Sequence, residues 1–389
     1  MDNIVLIGLI YDENLGDQAI ALSTKQMVKK SLIQNHLKWE IRFLDIYGRN
    51  GVSFTHHSGI KTAIITTVKK IVPQKVLHSV AEKKLLNAYL DKAHSIIDKG
   101  TRAIIFVGGG LIKFKKQMLC KPIVATIEKA EKYSIPVMFS AVGVEGYDPN
   151  NDDCMMLKKS LNSSVVHHVT TRDDLTTLSQ NYIINHAIKV KKVPDPACSI
   201  CNYIKPEKKR QRRSTIGLGV ARTQLFSDYG LDVSEVYLTN LWLGIIQRLK
   251  DKGFNVKLFT NGSEDDYEYA LKLTNKLGDD TVLEKRPKTV KELIGLLSEY
   301  NGIIATRMHS CILAYSYNIP ACGLVWNNKL KMFGESINRG DYYYEVKELK
   351  ADVIVDGLLE FLRIGYECRD NTSTEIEIYG FIESVVNKK

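Results

Sequence analysis

Short apolar runs alternate along this chain with longer stretches in which apolar residues recur every three or four positions. In the first half, Ile4 to Ile10, Ile41 to Ile46, Ala103 to Val107, Val137 to Val142 and Val165 to Thr170 read as buried strands. Asp17 to Leu32, Val76 to Asp98 and Pro122 to Tyr133 carry helical spacing. A second set follows, with strands at Thr215 to Val220, Val256 to Thr260, Ile303 to Ala305 and Ala321 to Val325. Its helices are Val236 to Lys250, Tyr267 to Leu277 and Val290 to Tyr300. Strands alternating with helices predict parallel sheets covered on both faces. Between the sets, the stretch Lys205 to Arg213 has no apolar residue after Pro206 and reads as an exposed linker. The pattern thus predicts an α/β protein of two Rossmann-like, doubly wound domains, 1–204 and 214–389, joined by a basic linker at 205–213. Facing each other across a cleft, such sheets bind ligands outside the carboxyl ends of their strands.

Size agrees, because 389 residues exceed what one core comfortably holds. The formal net charge of +10 suggests nucleic acid until it is located. Six lysines stand against one glutamate between Lys61 and Lys84, and six cations against one glutamate between Lys205 and Arg213; these two patches account for the whole excess. No general polyanion-binding face is expected, and no nucleic-acid partner. The first patch borders the helix predicted over 58–72, where Ile60, Ile64, Val68, Ile71 and Val72 share one face, with Lys61, Lys69, Lys70 and Lys75 on or near the other. That helix reads either as an element packed on the first sheet or as one lying in a membrane interface, drawn by anionic headgroups.

The seven cysteines are odd in number and scattered, against a disulfide framework, and Cys198-Ser199-Ile200-Cys201 has no second pair or histidine cluster beside it. The chain opens on strand-like Ile4 to Ile7 without a basic leader, and its longest uncharged run, Met308 to Asn328, is broken by Asn318, Pro320 and Gly323. A cytoplasmic protein is expected, at most at the inner face of the membrane.

The candidate chemistry collects at predicted strand ends. Arg307 and His309 in Ala305-Thr306-Arg307-Met308-His309-Ser310 fall between a strand and a helix N-terminus, and Lys329 follows the next strand. Arg172 and Arg222 hold matching positions after Val165 to Thr170 and Thr215 to Val220. Four cations and an imidazole at strand ends suit a polyanionic substrate that needs proton transfer. Asn14-Leu15-Gly16-Asp17 opens the first helix, where Asp17 would cap it or meet sugar hydroxyls. Gly108, Gly109 and Gly110 directly follow a strand and either admit a ligand to the backbone or make a turn.

The order N-L-G-D-Q-A, G-G-G, S-A-V-G-V, T-R-D-D, D-P-A, R-M-H and then a lysine twenty residues on resembles the polysaccharide pyruvyl transferase family, from Ile4 to about Gly334. Each motif is weak alone; their order and spacing carry the likeness. The resemblance implies a fold similar to the GT-B glycosyltransferases and transfer of pyruvate from phosphoenolpyruvate onto two hydroxyls of a sugar as a ketal, with release of phosphate. The sugar would belong to a cell-surface polysaccharide or its lipid-linked precursor. Family motifs fall on Arg307, His309, Arg172 and Lys329; Arg222 is carried by position and chemistry. Gln18 stands where the family has an acidic residue. His309 is then the acid/base, Arg307, Arg172, Arg222 and Lys329 hold the donor, and Lys329 steadies the departing phosphate. Asn14, Gly16, Asp17 and the three glycines serve the acceptor, Asp17 orienting or deprotonating it. The first domain becomes the acceptor side and the second the donor side. No metal or cofactor is expected.

Two other readings compete: a GT-B glycosyltransferase using a nucleotide sugar, and a basic non-catalytic protein that binds membrane or nucleic acid. The first predicts a uridine or guanine pocket in the second domain. The second leaves the Arg307 and His309 arrangement unexplained.

Overall fold

The structure, a computed structural model, describes residues 1–52, 74–113, 118–206, 214–346, 349–367 and 371–387, and for 74–78 the backbone alone. The basic, amphipathic stretch 58–72 and most of the linker, 207–213, lie outside the described residues.

The chain divides into two compact units. The first comprises Met1–Asp12, Thr24–Val193 and Thr374–Lys389. Its strands are β1 (Asn3–Gly8), β2 (Glu40–Asp45), β3 (Thr101–Val107), β4 (Ile112–Lys113), β5 (Val137–Val142), β6 (Val144–Glu145), β7 (Val166–Thr171) and β8 (Lys189–Lys192). Six of them form a parallel sheet in the order β2-β1-β3-β5-β7-β8, while β4 and β6 pair separately. Ile4 to Ile7, Ala103 to Val107 and Val137 to Val142 are wholly buried, as continuous apolar strands covered on both faces should be.

The second unit comprises Glu13–Ser23 and Pro194–Ser373. Its five-stranded parallel sheet contains β9 (Thr215–Gly219), β10 (Asn255–Phe259), β11 (Gly302–Ala305), β12 (Ala321–Val325) and β13 (Tyr343–Glu345), in the order β10-β9-β11-β12-β13. Trp242, Ile245, Leu249, Leu293, Leu297 and Phe361 belong to its core.

Both sheets are doubly wound, as the sequence pattern predicts, but the division differs from the expected 1–204 and 214–389. The chain changes units at Val193, because Pro196–Asn202 is a 3₁₀ turn whose Ala197, Cys198 and Ile200 enter the second core. The Cys201 N–H donates to Ser316 Oγ, and the Tyr317 hydroxyl donates to the Ile204 carbonyl. Cys198 and Cys201 are free thiols. The last helix, Ser373–Val386, returns to the first unit: its Glu377 pairs with Lys189 and Lys191 on β8, and Phe381 lies 5.5 Å from the His168 ring. Among the described residues no helix is long and apolar enough to cross a membrane.

Candidate functional site

In the second unit the chain leaves β9, forms β10 on one side and then β11 on the other, so the order reverses between β9 and β11. Ligands of open parallel sheets bind at such a switch point, outside the carboxyl ends. Here Arg222 follows β9, Asn261 and Gly262 follow β10, Arg307 follows β11, and Lys329 follows β12.

Asp266 is the hub of this edge. Its carboxylate is fully buried and accepts two hydrogen bonds from Arg307, Nε at 2.8 Å and Nη2 at 2.9 Å, and a third from the Arg222 backbone N–H at 3.0 Å. One edge of the Arg307 guanidinium is therefore committed to Asp266. Arg222 directs Nη1 to Asp265 at 2.5 Å. Much of the positive charge expected from two arginines is balanced in place.

His309 lies in the first turn of the helix Met308–Ser316, whose N-cap position is Arg307, and only 6% of the residue is exposed. Its ring lies against Gly16. A Cβ built on Gly16 would stand 2.3 Å from the imidazole Cγ and Nδ1, so no side chain fits there. On its other nitrogen, His309 Nε2 stands 3.8 Å from Asp195 Oδ2. Asp195 is itself buried, and its Oδ1 caps the 3₁₀ turn by accepting from the Ala197 N–H at 2.8 Å.

The segment that brings Gly16 here is fastened at several points. The Leu15 N–H donates to the Asn261 carbonyl at 2.9 Å, and Asn261 Oδ1 accepts from Ser310 Oγ at 2.7 Å. Arg286 donates from Nε to the Gly262 carbonyl and from Nη2 to Glu13. Gly262 has φ +99°, and a Cβ on it would meet the Glu13 carbonyl at 2.6 Å. Asn14 performs the capping expected of Asp17: its Oδ1 accepts from the Gly16 N–H, while its Nδ2 donates to the Asp17 carboxylate at 3.0 Å. Asn14, Gly16 and Asp17 thus form one hydrogen-bonded turn beside His309.

Lys329 lies in the first turn of the helix Asn328–Ser336, capped by the Asn327 side chain, and is 8% exposed. Trp326 ties this loop to the preceding one by donating from Nε1 to the Thr306 carbonyl at 2.7 Å. Two helix N-termini, each favourable to an anion, therefore emerge from neighbouring parallel strands, with His309 on one and Lys329 on the other.

Arg172 and the glycine triplet stand in the first unit. Arg172 follows β7, half-buried, its N–H donating to the Val142 carbonyl at 3.3 Å. Gly108 and Gly109 take φ of +22° and +78°, the Gly108 N–H donates to the Ser140 carbonyl, and the Gly109 carbonyl accepts from Gly143. These bonds are those of a turn leading from β3 to β4.

Asp195, Asn261 and Asp266 were not legible as site residues. Asp266 ends the run Glu264-Asp265-Asp266, which reads as ordinary acidic decoration of a helix N-terminus. Asp195 had a signal, an Asp before Pro-Ala, but that marks a cap equally well.

With this geometry in place, comparisons give it a context. A model of the polysaccharide pyruvyl transferase family matches residues 14–328. No curated protein matches the sequence. Among solved structures, the chain is similar to UDP-GlcNAc 2-epimerase from Neisseria meningitidis bound to UDP-GlcNAc, with TM-score 0.57, 10% identity and 100% of each chain covered. It is also similar to the Methanocaldococcus jannaschii UDP-GlcNAc 2-epimerase in complex with UDP-GlcNAc and UDP, with TM-score 0.58, 12% identity and 100% of each chain covered. S. aureus MnaA with UDP gives TM-score 0.57 and 13% identity, over 100% of this chain and 97% of that one. At these identities the likeness speaks for the GT-B-like fold of two Rossmann-like domains and for nothing finer.

Proposed function

The chain belongs to the polysaccharide pyruvyl transferase family, and on that premise we propose that it transfers pyruvate from phosphoenolpyruvate to two hydroxyls of one sugar in a polysaccharide or its lipid-linked precursor. The observation that carries this reading is His309, enclosed by Gly16 and Asp195 at one helix N-terminus, with buried Lys329 at the next.

The chemistry asks for what these residues supply. The methylene carbon of the donor takes a proton from His309, which makes C2 electrophilic. One sugar hydroxyl adds to C2 and gives up its proton, restoring that of the imidazole. The C2–O bond to phosphate then breaks, and a second hydroxyl adds and loses its proton, which leaves with the phosphate. Acid–base catalysis of this kind contributes roughly 10²–10⁴-fold. Because Arg307 and Arg222 already pair with Asp266 and Asp265, the donor's anionic groups rest mainly on Lys329 and on the helix N-termini. Each terminus contributes about 0.3–1 kcal/mol, and up to ~2 kcal/mol where partly buried. Lys329 stabilises charge on the leaving phosphate.

The test is phosphate release from phosphoenolpyruvate with a panel of sugar acceptors, alongside an assay for nucleotide-sugar consumption. Acceptor-dependent phosphate release that His309→Ala abolishes supports the reading. Turnover of a nucleotide sugar with no phosphate release from phosphoenolpyruvate overturns it.

A further inference from the structure

Asp195 faces His309 across 3.8 Å and is buried with it. Its Oδ1 caps the 3₁₀ turn, and its Oδ2 is the oxygen turned to the imidazole. We propose that Asp195 is a positioning residue that fixes the tautomer of His309. Resting on the proton-transfer role given to His309 above, this makes Nδ1 the atom that passes the proton.

The two ring nitrogens of a neutral imidazole are not equivalent, and the hydrogen bond made by one decides which carries the hydrogen. A carboxylate accepts only, so an oxygen opposite Nε2 favours the Nε2–H form and leaves the lone pair on Nδ1. At 3.8 Å the contact is longer than a hydrogen bond. Such contacts in unliganded sites commonly shorten once reactants are bound.

The other side of the ring agrees. Gly16 lies against Cγ and Nδ1, where any side chain would cover the nitrogen. The hydrogen-bonded turn of Asn14, Gly16 and Asp17 is on this side, so a proton leaving or reaching Nδ1 does so next to polar groups. Asp195 carries no proton in the cycle. It holds the Nε2 hydrogen while Nδ1 gives a proton to the donor's methylene carbon and recovers one from the acceptor hydroxyl.

A cap and a tautomer anchor are separable by substitution. Asn and Ser are as good at capping as Asp, so Asp195→Asn and Asp195→Ser keep the turn; thermal unfolding close to that of the wild type verifies this. Asparagine can donate to Nε2 and favour the opposite tautomer, and serine is too short to reach. The experiment is ¹⁵N NMR of histidine-labelled full-length protein without substrate, with the His309 signals identified from a His309→Gln sample. In its neutral form the wild-type ring should show a hydrogen on Nε2 and none on Nδ1, the imidazolium that opens the cycle carrying both, and Asp195→Asn should reverse or mix the neutral tautomers. In the phosphate-release assay, both variants should lose about 10²-fold or more in kcat, with donor KM changed less than about threefold.

A neutral wild-type His309 that carries its single hydrogen on Nδ1 overturns the proposal. So does a folded Asp195→Asn enzyme with kcat within about threefold of the wild type. The NMR result needs no turnover: if the wild type never releases phosphate, the pyruvyl-transfer reading fails while the tautomer assignment is still decided.

Discussion

Gly16 and His309, almost three hundred positions apart in sequence, touch so closely that one carbon added to the glycine would lie 2.3 Å from the ring. In most helices an alanine replacing glycine gains about 0.5–1 kcal/mol. Here we predict the reverse. Gly16→Ala should cost roughly 1–3 kcal/mol through overpacking. Displacing the imidazole by a fraction of an ångström or more should lower kcat on the order of 10²-fold. Urea unfolding and phosphate-release kinetics on the same sample check both values.

Arg307→Ala should act on stability as well as on binding. The fully buried Asp266 would lose two charge-assisted hydrogen bonds, and breaking a buried pair by removing one partner costs about 3–5 kcal/mol. Asp266→Asn combined with Arg307→Ala should be markedly less destabilised than the sum of the single changes. Chemical unfolding of the three variants tests this; strict additivity would show that the pair is not coupled.

Lys329→Met keeps most of the side-chain volume and removes the charge. If the lysine stabilises the leaving phosphate, kcat should fall about 10²–10³-fold with acceptor KM little changed. A loss confined to acceptor KM would move Lys329 out of the donor's site.

Acid should loosen the first unit in two stages. Burial, with Lys189 nearby, lowers the His168 pKa to about 4 from the ordinary histidine value of about 6.5. Between those values the unfolded chain takes up a proton that the folded one refuses, so stability falls as pH drops through that window. Glu377 continues the trend. Burial raises its pKa, but hydrogen bonds and charge from Lys189 and Lys191 outweigh this and hold it below the ordinary glutamate value. Its contribution is present above that ordinary value and is lost as pH falls through the folded one. Melting temperatures from pH 7 to 3.5 should show His168→Phe flattening the upper part of the decline and Glu377→Gln the lower part.

Much of this was legible because parallel strands buried on both faces spell themselves as continuous apolar runs: Ile4 to Ile7 and Val137 to Val142 could hardly be anything else. β8 was not, since Lys189-Val190-Lys191-Lys192 reads as solvent-exposed coil. It is an edge strand with charged side chains, and its lysines find a partner in Glu377, 186 positions from Lys191. The strand-end positions of Arg307, His309 and Lys329 followed from local pattern. The commitment of Arg307 to Asp266 did not, because nothing in a run of three acidic residues marks the third as buried.

The chain changes unit four times, after Asp12, Ser23, Val193 and Ser373. Neither unit can therefore be excised as one continuous piece. A fragment beginning at Pro194 would keep His309, Arg307 and Lys329 but lose Leu15, Ala19 and Ile20 from its core, along with the glycine against its histidine. It would also keep the last helix without the β8 lysines that bind it. Chimaeras that exchange the second unit between family members must carry residues 13–23 with it. A graft cut at the basic run 205–213 would join two proteins away from the change of unit after Val193.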